Sequence, residues 1–243
     1  MRRFVWNPVR LVLGALFFTC ALTGVATASE DDERFRLLKF DSHPVKWGDA
    51  ALGTGAHVTY AFAQTELRFD DARNCRSLVP MHGLAARSRI SSTRLIEETI
   101  AAFRAWEEVA DIRFEPVADA SQADIVIGAQ ARPFGRAFAD VAYTSVSDNG
   151  VKAIERSLVC LNPDVPWKVG FDGDVDVYDF RYTMIHEIGH AIGLDHPGPT
   201  GQIMAFAYNE AFRELQAGDI RGAVTLYGAS IERLASTDAS SRP

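Results

Sequence analysis

The segment His186-Glu187-Ile188-Gly189-His190-Ala191-Ile192-Gly193-Leu194-Asp195-His196 restricts what this chain can fold into more than any other stretch of its 243 residues. Residues four apart on an α-helix lie on one face, one turn apart. On a helix, therefore, His186 and His190 present their imidazoles side by side, with Glu187 on the adjoining flank. Gly193 lets the chain leave that helix, because glycine reaches positive φ at little steric cost. His196 can then return as a third imidazole. Three neutral imidazoles on one ion leave an open position for water, the donor set of a catalytic zinc site. Glu187 stands beside such an ion rather than on it, placed to take a proton from the water and pass it on.

The rest of the chain has to supply that helix and a cleft around it. Residues 58–62, Val-Thr-Tyr-Ala-Phe, are β-rich and predict a first strand. Residues 64–90, broken by Asn74, Pro80 and Gly83, predict irregular structure. From Ser91 or Ser92 the period changes: Leu95, Thr99, Ile100, Phe103, Trp106 and Ala110 fall at helical spacing. Strands follow at 112–115, 123–127, 141–143 and 157–161. A loop rich in Asp, Gly and Pro covers 162–177. A second long helix is predicted over 178–192, and a last one from near Asp219 to Tyr227.

Both ends read differently from the middle. Arg2, Arg3 and Arg10, an uncharged apolar run over 11–25, and Ala26-Thr27-Ala28 predict an export signal spanning residues 1–28. About 15 apolar residues are short for a spanning helix, so no membrane anchor is expected after cleavage. A lipoprotein signal ending at Cys20 is the alternative, with bulky Phe17-Phe18 against it. Residues 29–45 are expected to be a short flexible leader, and 229–243 a disordered tail. Export places the protein in the periplasm or outside the cell. The net charge of −7 argues against a nucleic-acid partner, which needs a basic surface.

Cys75 and Cys160 are an even pair in an exported chain, which predicts one disulfide. The alternative makes Cys75 a thiolate that blocks the zinc in a latent form. Asp172, Asp174 and Asp176, around Gly173 and with Asp179 beyond, form a candidate calcium loop. The other reading is a solvated acidic loop, since EF-hand spacing is missing.

With these residues in view, the chain resembles the metzincin metallopeptidases, most closely the matrixin (matrix-metalloprotease-like) branch. Ile203-Met204-Ala205 is similar to their methionine turn. The stretch from Leu215-Gln216 through Asp219-Ile220 to Leu226-Tyr227-Gly228 is similar to their closing helix, and Trp47-Gly48 to their opening. The resemblance covers residues 45–228 and is strongest over 180–228. It implies a catalytic domain over 46–228 with an α/β fold: a twisted, mixed, mostly parallel sheet, two long helices, and a small C-terminal subdomain after Gly193. It implies a monomeric zinc metalloendopeptidase acting on protein or peptide substrates. Zinc sits on His186, His190 and His196, Glu187 is the general base, and Met204 lies beneath the site. Substrates pair with an exposed edge strand, and residues 205–208 wall the pocket for the residue after the scissile bond.

Matrixins usually carry a second zinc on three histidines and an aspartate. Here His43, His57 and His82 lie too early in the chain and 134–139 has no histidine, so one zinc is expected. Pro197 is a serralysin-like feature. Phe206 stands where that branch has a tyrosine ligand, and Tyr208 lies two residues further on.

Overall fold

The computed structural model describes residues 34–147 and 149–230. The export signal expected over 1–28 and the tail from 231 onward lie outside the described residues. In chain order the elements are β1 (Arg36–Leu37), β2 (Lys39–Phe40), β3 (His43–Lys46), β4 (Ala56–Phe62), β5 (Leu67–Arg68), β6 (Ser77–Val79), α1 (His82–Ser88), α2 (Ser92–Glu107), β7 (Ile112–Pro116), β8 (Ile125–Gln130), β9 (Ala137–Tyr143), β10 (Lys152–Leu161), β11 (Trp167–Lys168), β12 (Tyr178–Asp179), α3 (Phe180–Ala191), β13 (Leu194–Asp195) and α4 (Ala217–Tyr227).

The main sheet runs β9–β10–β8–β4–β7. Its last four strands are parallel, and β9 joins antiparallel at one edge. Every residue of β8 is buried, as expected for a parallel strand covered on both faces. Successive side chains alternate between those faces. Ile125 and Ile127 join the large core under α2 and α3, with Leu95, Phe103, Trp106, Ile185 and Ile188. Val126 points the other way, into a smaller cluster with Ala61, Leu78 and Leu158. The disulfide Cys75–Cys160 lies in this second cluster and joins residues 85 apart. α2 starts where the sequence places it, the Ser91 side chain capping it by accepting from the Arg94 amide at 3.1 Å; α3 starts at Phe180, because 178 and 179 form β12.

Three expectations need correction. The stretch read as a flexible leader is built into the fold from Arg34 onward. β1 pairs antiparallel with β13, β2 with β3, and β3 lies parallel to the start of β10. The irregular stretch 64–90 contains the β5–β6 hairpin and α1. The ordered chain also runs past 228: Ala229 bridges to Ala110, and Ser230 is buried with its hydroxyl on the Glu108 carbonyl at 2.8 Å. After Gly193, Leu194, Met204, Ala223 and Leu226 pack into the large cluster with the sheet and α3. Among the described residues, no helix is long and apolar enough to cross a membrane.

Candidate metal centre

The site is built on α3, which is held at both ends. Asp179 caps its start, accepting from the Tyr182 amide at 2.8 Å and the Gly170 amide at 2.7 Å. The final carbonyls of a helix have no intrahelical partner; here buried side chains take them. Trp47 Nε1 and Ser157 Oγ donate to the Ala191 carbonyl, at 2.9 and 3.0 Å, and the Tyr227 hydroxyl donates to the Ile192 carbonyl at 2.6 Å. Nearly two turns earlier, Trp106 Nε1 reaches the Ile185 carbonyl at 3.0 Å. At Gly193 the chain turns with φ +104, and a Cβ there would stand 2.2 Å from the Val45 carbonyl oxygen. Only glycine fits both demands.

That exit brings His196 back. The three Nε2 atoms form a triangle: 3.0 Å from His186 to His196, and 3.1 Å from His190 to each of the others. Zinc–nitrogen bonds of 2.0–2.1 Å at tetrahedral angles separate their nitrogens by about 3.3 Å, so the triangle has the size of a three-imidazole zinc site. The tautomers agree. His186 Nδ1 donates to the Ile203 carbonyl at 2.7 Å, and His190 Nδ1 to the Leu194 carbonyl at 2.8 Å. Each therefore turns a free Nε2 lone pair inward. Burial pulls the His190 pKa down to about 4 and that of His186 well below 6.5, helped by the neighbouring imidazoles; burial also lowers His196. Neutral rings are what a metal needs. Among the described residues, these histidines are the one group of three whose ligand atoms lie within 4.8 Å of one another.

Met204 packs beneath the helix: a Cβ on Gly189 would meet its sulfur at 2.2 Å. Glu187 is 5% exposed and flanks the triangle; its Oε2 is buried with no hydrogen-bond partner. Burial raises its pKa to about 8, opposed by a hydrogen bond from the Ala139 amide on β9. Glu187 and the three histidines line a cavity of about 470 Å³, together with Ala139, Phe206 and Tyr208.

A matrixin family model matches residues 83–228. The chain belongs to the matrixin family. It is 31% identical over 143 residues to Metalloendoproteinase 5-MMP of Arabidopsis thaliana, a match covering 52% of this chain and 38% of that protein. It is 26% identical over 164 residues to Serralysin G of Dickeya chrysanthemi, covering 63% of this chain and 30% of that protein. The matches thus span between 30% and 38% of the length of these relatives.

In this matrixin the acidic loop is organised differently from a cation cage. Asp172, Asp174 and Asp176 do not gather their carboxylates at one point. The Lys168 ammonium takes the centre instead, bonded to Asp172 Oδ1, to the Asp174 carbonyl at 2.5 Å and to Glu210 Oε1 at 2.5 Å. Glu210 in turn accepts from the Tyr208 hydroxyl at 2.8 Å, and that hydroxyl accepts from the Asp179 amide at 3.0 Å. Tyr208 is thereby committed to the pocket wall and not aimed at the histidines. Phe206 is 77% exposed, its ring 5.2 Å from that of His196.

Other residues of the site escape a sequence reading. Buried Asp219 holds the turn at Ile203-Met204: its carboxylate accepts from the amides of Ile203 and Met204 at 3.1 and 3.0 Å, and from Gln216 at 2.8 Å. The signal available was Asp219 at the third position of α4, where it closes a capping box with Gln216. Leu38 and Phe40 of the N-terminal segment, and Arg136 before β9, also line the cavity. Nothing in their local sequence marks them.

Proposed function

We propose that this chain is a zinc-dependent metalloendopeptidase, exported to the periplasm or medium, with one zinc held by His186, His190 and His196. The observation that carries this is the triangle of Nε2 atoms 3.0–3.1 Å apart, with two tautomers fixed by backbone carbonyls, beside an unpartnered buried carboxylate oxygen. Zinc, when bound, supplies Lewis acidity, making a water nucleophilic near neutral pH and polarising the scissile carbonyl.

Glu187 takes the proton of the attacking water and returns it to the leaving amine. Burial alone raises its pKa to about 8, and a cation held beside it would favour the ionised form that accepts the proton. Met204 gives the histidines a firm apolar base, which Asp219 fixes through two amides. The substrate backbone lies along the free edge of β9. The Arg136 carbonyl accepts from the Asn162 amide on the β10 side at 2.8 Å. Main-chain groups alternate in direction along a strand, so Ala137 and Ala139 turn theirs outward. Residues 205–208 wall the pocket after the scissile bond. The expected partners are proteins and peptides met by a monomer, with no nucleic acid.

Digestion of casein and a peptide library, with zinc measured on the same sample, tests this. The proposal expects cleavage that a zinc chelator stops and about one zinc per chain. A zinc-loaded protein that cuts nothing would make it a binding module on the same scaffold.

A further inference from the structure

Among the described residues, Arg136 is the one cationic side chain on the cavity wall. Its guanidinium lies over the Tyr178 ring, 3.9 Å from the centroid, and Tyr178 stacks on Tyr208 at 4.2 Å. Nη2 donates to the Asp176 carbonyl at 3.0 Å. Nη1 is buried and has no hydrogen-bond partner. Among the described residues no carboxylate pairs with this guanidinium. A buried, charged N–H without an acceptor is costly to leave so, and a carboxylate is its best partner, because the hydrogen bond is then charge-assisted.

The strand geometry says which part of a substrate brings that carboxylate. Glu187 meets β9 at the Ala139 amide, and Arg136 lies three residues earlier, about 10 Å along a strand. An extended peptide pairs more stably antiparallel to β9 than parallel to it. Run that way, its residues after the scissile bond pass from Ala139 toward Arg136. Arg136 therefore stands on the leaving-amine side, within three residues of the bond that is cut.

Resting on the peptidase reading above, we propose that Arg136 is a specificity-determining residue. It selects substrates carrying a carboxylate within the three residues after the scissile bond. An acidic side chain and the free terminus of a short leaving peptide offer the same chemistry.

The test uses a peptide series with Glu or Gln at each of those three positions, each with a free or amidated C-terminus. The zinc-loaded protein is expected to prefer one Glu peptide over its Gln partner by about 10- to 100-fold in kcat/KM, the range of a charge-assisted hydrogen bond. A Glu-over-Gln preference that survives amidation assigns the carboxylate to a side chain, and a preference for the free over the amidated terminus with Glu and Gln equal assigns it to the terminus. Arg136→Gln should bring the ratio to about one, and Arg136→Lys should restore part of it, with unchanged circular dichroism showing that both are folded. The same peptides are titrated into zinc-loaded Glu187→Ala protein. Tighter binding of the Glu peptide there supports the assignment even if no peptide is cut, an outcome that sinks only the peptidase reading. Equal cleavage or equal binding of Glu and Gln peptides at all three positions, with free and amidated termini also equal, overturns it.

Discussion

Single residues decide whether the three imidazoles can meet. Gly193 is the clearest case, since its φ of +104 and the Val45 carbonyl both exclude a side chain. Gly193→Ala should cost about 2–4 kcal/mol from backbone strain and overlap, and should weaken zinc retention because His196 and the Leu194 carbonyl shift together. Urea unfolding and zinc content of the purified variant check both. The histidines, Glu187 and Gly193 were legible in the sequence because a helix of known period fixes where they point. Asp219 was legible only as a helix-start residue. Its bonds to the amides of Ile203 and Met204 come from tertiary placement that no local pattern encodes. Arg136 is harder still, because what singles it out is a partner it lacks.

At the scale of elements, α2 could be read from its apolar period and α3 from the four-residue spacing of His186 and His190, and each carries a side-chain cap. The N-terminal segment could not: strands of two to four residues are too short to show alternation, and its charges resemble those of a linker. Yet the Leu38 amide bonds the Gly193 carbonyl at 2.8 Å, and Arg36 pairs with Asp195 at 2.9 Å, next to His196. The hairpin β5–β6 was missed for the same reason, although Cys75 beside it ties this layer to β10. Replacing Cys75 and Cys160 together by serine should destabilise the protein by about 2–5 kcal/mol, since the bond closes a long loop in the unfolded chain. Denaturant midpoints of the two proteins give the difference. Lys46, at the end of β3, supplies a pH prediction. It is fully buried, and burial lowers its pKa to about 8 from 10.5. Between those values the unfolded chain holds the proton that the folded chain has released, so this group makes stability rise with pH. Urea titrations at pH 7.5 and 9.5 should show wild type gaining on Lys46→Met as pH increases; a constant difference would mean that Lys46 keeps its charge.

For the whole molecule, one core carries both the sheet and the segment after Gly193, so the two walls of the cleft belong to one cooperative unit. Metal should therefore act on global stability. Added zinc should raise the Tm of chelator-treated protein, since only the folded chain assembles the three imidazoles. Calcium should leave the zinc-loaded Tm unchanged, because the Lys168 ammonium already holds the acidic loop. A calcium-induced rise would show that the loop opens to take the ion. The fold class was legible from the order of strands and helices. The acidic loop was not, because a sequence shows the carboxylates but not which cation they meet. The central claim is that the triangle holds zinc and Glu187 does the proton transfer. Zinc content and peptide cleavage, measured together on wild type and Glu187→Ala, test it most directly. The account predicts about one zinc per chain in both and cleavage reduced by about 10²- to 10⁴-fold in the variant. Cleavage at the wild-type rate by Glu187→Ala, or a wild type that binds no zinc, would contradict it.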